Sequence, residues 1–185
     1  MTPQQPAPSV RVWDWPVRVL HLGLVATVTA AWFTRHGFGW VHEWLGFAAM
    51  AIASLRILWG FSASRYGRFA QFLRSPAHTT AYAAALARHR APRYLGHNPL
   101  GGWMAVTLLL AVLAVTGSGW LYITDRYWGL EWVENLHDGL TWALIGLVAL
   151  HLAGVVYTSL AKRENLVGAM LHGRKRPAAP GDVDD

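Results

Sequence analysis

Four long apolar stretches decide what this chain can become. They read as spans at about residues 17–36, 41–61, 100–124 and 135–161, each near the ~20 residues a helix needs to cross a bilayer. A helix of a soluble bundle carries a polar stripe toward water, and these stretches carry almost none. In lipid, every backbone N–H and C=O has to be satisfied inside the segment, which for runs of this length leaves the helix. The expected fold class is all-α: an integral-membrane four-helix bundle, with 17–161 as its membrane part.

The basic residues sort by loop. Arg11 and Arg18 stand at the start of the first span, and Arg65, Arg68, Arg74, Arg88, Arg90 and Arg93 lie between the second and third. Lys162, Arg163, Arg174, Lys175 and Arg176 follow the fourth. The other two connections hold Arg35 alone, and Arg126 among Asp125, Glu131 and Glu134. The positive-inside rule then puts both termini and the loop 62–99 in the cytoplasm of a multi-pass membrane protein. Read this way, the net charge of +6 reports topology and not a nucleic-acid groove. Eleven Trp, many beside the apolar runs, suit the membrane interface.

Residues 1–16 and 162–185 become cytoplasmic tails. The first is polar and Pro-rich, unlike a cleaved signal peptide. The second closes with RKRPAAPGDVDD, whose composition predicts disorder. Within the loop, RYGRFAQFLRSP and HTTAYAAALARHR read as short, partly amphipathic helices lying on the membrane surface.

The chain has no cysteine, which excludes disulfides, thiolate zinc sites, iron–sulfur clusters and thioether-linked haem. Any redox cofactor is therefore held by His or Met. Of the nine histidines, His36, His78, His89 and His172 fall in polar loops and read as solvated side chains. His97, in GHNPLGG at the mouth of the third span, reads first as a loop cap, with donation to a propionate or a quinone as the alternative.

His21, His42, His137 and His151 lie in or at the ends of spans, where an ionisable group is costly and points to function. His137 and His151 are fourteen residues apart, so on one helix they sit ~21 Å apart along the axis and within about 40° of the same face. Alternating span directions pair His42 with His137 at the outer side and His21 with His151 at the inner side. Two imidazoles from facing helices meet the axial needs of a six-coordinate b-type haem. Gly23, Gly46, Gly139, Gly146 and Gly154 lie close by, where small side chains let helices part around a macrocycle. Arg56, fourteen residues after His42, either snorkels to the inner headgroups or pairs with haem propionates.

With these residues laid out, the chain resembles the prokaryotic cytochrome b561 family, related to the b-type cytochrome subunits of nickel–iron hydrogenases. The motifs VWDWPVRVLH, VHEWLG, FSASRYGRFAQF, GHNPLGG, LHDG, ALHLAG and RENLVGAMLHGRK carry the likeness over nearly the whole chain. The resemblance implies two non-covalent haems b on His21, His42, His137 and His151, and electron transfer between a quinone pool and a periplasmic or membrane redox partner. Hydrogenase-type subunits can have a further span, and the ascorbate-reducing relatives of animals and plants have six.

No catalytic side chain is expected for electron relay alone. Reduction of a quinone also needs protons, for which His97, Tyr66 and Arg68 are the candidates at the cytoplasmic opening, and Asp138 and Glu43 at the outer one. Expected partners are thus a quinone, a redox protein and the bilayer, with a homodimer compatible and nucleic acid not expected. Two other classes compete: a haem-free membrane anchor of a respiratory enzyme, and a metal-ion transporter. Against the transporter, the spans offer no chain of carboxylates, and Arg56 would repel a cation.

Overall fold

The computed structural model describes residues 9–37 and 39–184. Its first long helix, α1 (Trp15–Thr34), starts where Asp14 accepts a hydrogen bond from the Val17 N–H at 2.9 Å, with a proline in the first turn. That is two residues before the expected start, because the Asp-Trp-Pro cap belongs to the helix. After a short turn the chain returns as α2 (Gly39–Ser62). Asn98 caps α5 (Pro99–Tyr122) through the Gly101 N–H. The last span, α6 (Glu131–Ala161), begins a turn earlier than expected. Its first turn holds Glu131 and Glu134, where negative charge complements the helix dipole.

All four helices are long and apolar enough to cross a membrane. Their apolar windows are covered very little by the protein itself: only 6% of the window is buried in α1 and in α6. Exposed side chains such as Val25, Leu58, Leu110 and Leu150 therefore need lipid as their solvent. The chain is a membrane protein.

Neighbours pack in the order α1 on α2, α2 on α5, α5 on α6. The central seam holds Ala49 and Ala53 of α2, Leu109 and Val112 of α5, and Leu144 of α6. Two alanines one turn apart let the α2 and α5 backbones approach, the device that drives helix association where lipid removes the hydrophobic force. By contrast, α6 is not packed backbone to backbone against α1 or α2. It reaches α1 by side chains, Trp142 meeting Trp32 edge-on at 5.3 Å. A slot thus separates the α1–α2 pair from α6.

At one end of the bundle the loops build a second core. A 3₁₀ turn (Arg65–Gly67), α3 (Phe69–Phe72) and α4 (Pro76–Ala87) occupy the long loop, matching the two short helical stretches expected there. Val12, Trp13, Val17, Tyr66 and Leu95 pack together beneath them. Strand β1 (Val10–Arg11) pairs antiparallel with β2 (Arg174–Lys175), after the short α7 (Leu166–His172). Gly173 (φ 79°) ends α7, and its carbonyl accepts the N–H groups of Val12 and Trp13. A Cβ there would stand 2.7 Å from the Trp13 carbonyl oxygen, so this crossing needs glycine.

Residues 174–184 correct the expectation of disorder. Val183 is bonded on both sides, its N–H donating to the Arg93 carbonyl and its carbonyl accepting from Leu95. The Arg93 guanidinium donates to Glu164 at 2.6 and 3.1 Å and to Asp182. Tyr66 donates its hydroxyl to Asp184 at 2.5 Å. A segment rich in Pro, Gly and Asp orders here because residues far upstream hold its carboxylates, Arg93 that of Asp182 and Tyr66 with Arg65 that of Asp184. Within the expected tails, residues 1–8 and 185 lie outside the described residues.

Candidate functional site

The slot holds the outer histidine pair. His42, in the first turn of α2, and His137, two turns into α6, stand with ring centroids 6.2 Å apart and planes at 88°. His42 Nδ1 lies 2.9 Å from the Ala31 carbonyl oxygen, and His137 Nδ1 lies 3.0 Å from that of Val115. A carbonyl can only accept, so each Nδ1 carries the proton and each Nε2 keeps its lone pair. Backbone contacts of this kind orient metal-ligating histidines and raise their basicity. Ser118 Oγ is 3.1 Å from the same His137 Nδ1.

Gly119 explains how α5 admits that ring. An added Cβ would come within 3.0 Å of His137 Cε1. Neither Ser118 nor Gly119 was expected at the site; the signal was the small-residue run TGSG in an otherwise bulky span.

At the other end of the slot are His21 on α1 and His151 on α6, both half-buried, with His21 in electrostatic reach of His151 and of Arg56. Arg56 is only 6% exposed. It does not snorkel free: its guanidinium sits over the Phe69 ring at 5.7 Å and makes a long 3.4 Å contact with the Gly67 carbonyl. His97 is enclosed between Trp13 and Phe72, with ring centroids at 4.7 and 4.4 Å. Burial, then the charges of Arg56 and Lys175, push its pKa down to about 3, so His97 is neutral at physiological pH. The expected loop cap falls to its neighbour Asn98. Burial likewise lowers Lys175 to about 8, with Glu164 opposing and Arg93 adding to the fall.

The remaining candidates sit further out. Arg68 donates to the Ala63 carbonyl, and Tyr66 is buried against Asp184. Glu43 and Asp138 are exposed. His36, His78, His89 and His172 are exposed as expected, with His78 near the Tyr94 hydroxyl and His172 accepting from the Arg174 N–H.

A flat macrocycle between two imidazoles fits this slot on several counts. A linear N–metal–N unit, with about 2 Å per metal–imidazole bond, can be seated between rings 6.2 Å apart. An added Cβ at Gly46, Gly139, Gly146 or Gly154 would meet nothing within 4 Å. His21 Nδ1, Arg56 Nη1 and His97 Nδ1 are buried without a partner among the described residues. Also among the described residues, no three His or acidic side chains converge on one point. A family model described as prokaryotic cytochrome b561 matches residues 12–173. No curated protein and no solved structure matches the chain.

Proposed function

The chain belongs to the prokaryotic cytochrome b561 family, membrane b-type cytochromes of electron transfer, and we propose that it is a two-haem relay of the bacterial inner membrane. Haem b supplies a one-electron carrier when bound. His42 and His137 would hold the outer group through Nε2, and His21 and His151 the inner one. The two levels lie ~21 Å apart along α6. Electrons pass between a quinone pool on one side and a periplasmic or membrane redox partner on the other. The Ala31 and Val115 carbonyls hold protons on the outer Nδ1 atoms, which leaves each outer Nε2 as the nitrogen free to face a metal.

The observation that carries this reading is the outer pair: two rings 6.2 Å apart across the slot, each with Nδ1 spent on a backbone carbonyl. Two histidines meeting by packing alone have no reason to share that tautomer.

Pyridine haemochrome assay on the purified protein tests it. Two haems b per chain are expected, with His42→Ala and His21→Ala each removing one. One haem per chain would discard a pair. None, from cells able to supply haem, would leave a haem-free anchor subunit as the better reading.

A further inference from the structure

The two ends of the slot differ in how their polar atoms are met. At the outer end both Nδ1 atoms have their carbonyls. At the inner end His21, Arg56 and His97 each keep a buried nitrogen without a partner among the described residues. An unmet buried donor destabilises the fold, and more so when charged. Native folds seldom leave several together.

The chemistry of these atoms narrows what could meet them. Arg56 can only donate, and its charge needs a counter-ion. Of the charged groups around His97, Arg56 acts on it most strongly, followed by Lys175. The Lys175 ammonium is buried nearby, donating to the Gly96 carbonyl at 3.3 Å with Trp13 beneath it. Carboxylates in the neighbourhood are already engaged. Asp14 takes hydrogen bonds from Val17, Ser64 and Trp59. Glu164 and Asp182 are held by Arg93. A neutral ligand, such as a quinone carbonyl, would satisfy His97 and leave Arg56 with only the distant charge of Asp14, whose oxygens are spent elsewhere. An acid satisfies both.

We propose that Arg56 and His97 form a receptor for one carboxylate, a propionate of the haem held by His21 and His151. Resting on the two-haem reading above, it gives the inner site an anchor that the outer site lacks.

Full-length protein made in haem-starved cells is titrated in detergent with haemin and with haemin dimethyl ester, which keeps the ring and loses both negative charges. Soret absorbance reads the binding. One of two sites should prefer haemin by roughly tenfold or more, the range of a charge-assisted hydrogen bond; the other should prefer it far less. Arg56→Gln and His97→Phe should each erode that preference, and His97→Gln, which keeps an N–H, should retain part of it. Equal affinity for acid and ester at both wild-type sites would overturn the receptor and leave the two-haem reading standing. Failure of the wild type to bind haemin at all would overturn both. The wild-type comparison stands even if a variant fails to fold.

Discussion

His137 shows how closely a single ring is specified. Two residues of α5 address it, the Val115 carbonyl and Ser118 Oγ, and Gly119 leaves the room it occupies. Gly119→Ala forces the ring to move a few tenths of an ångström, an overpacking typically costing about 1–3 kcal/mol. The expected result is a loss of roughly five- to a hundredfold in haem affinity at one site with the other unchanged, read by haem titration. Ser118→Ala, which leaves the carbonyl in place, should do much less. The depth of each histidine was legible from spacing alone, because helical rise is regular. Their carbonyl partners were not: Ala31 lies eleven residues before His42, and Val115 lies on a different helix from His137. His97 was misjudged for a related reason. Its neighbour Asn98 carries the cap signal, and burial between two aromatic rings leaves no local mark.

The helical elements were visible because bilayer length and apolar run coincide. Their ends moved by one turn or less, where Asp14 and the acidic first turn of α6 extend the helices beyond the apolar stretch. The tail after β2 was illegible, since composition reports local tendency and its partner is Arg93. This clasp makes a prediction of its own. Arg93 and Glu164 side chains are 9% and 4% exposed, and breaking a buried pair typically costs about 3–5 kcal/mol. Glu164→Ala should therefore lower the melting temperature in detergent, and Arg93→Ala should do so comparably.

Acid attacks the same element. Burial raises the Glu164 pKa, but Arg93, Lys175 and the Arg176 N–H outweigh it and hold the carboxyl below 4.5. Its stabilisation is present above pH 4.5 and lost as pH falls through the lowered value. Lys175 acts in the other direction. Its pKa is about 8 in the fold against an ordinary lysine value of 10.5, so the unfolded chain binds more protons between them. Stability should rise as pH climbs from about 8 to 10.5. Denaturation measured across that window should show the rise in the wild type and a flatter profile in Lys175→Met.

On the scale of the whole molecule, four antiparallel spans bring both chain ends to one face, where β1 meets β2. Charge placement predicts that this face is cytoplasmic. A fluorescent protein fused after residue 185 should glow, and alkaline phosphatase in the same place should stay inactive; insertion of phosphatase beside Arg126 should give the reverse result. Either reporter active on the wrong side would invert the bundle and exchange the inner and outer haem sites.

The second core also sets an order of events during synthesis. The side-chain carboxylates that hold Arg93 come from Glu164 and Asp182, and the lysine under Gly96 is residue 175. All are made after α6. As the ribosome delivers the chain, α1, α2 and α5 can be in the membrane while the partners of Arg93 and the lysine near His97 are still missing. The loop side gains its clasp only once the fourth helix has emerged and the strand behind it has folded back. Whatever has to enter the bundle from that side has to arrive first.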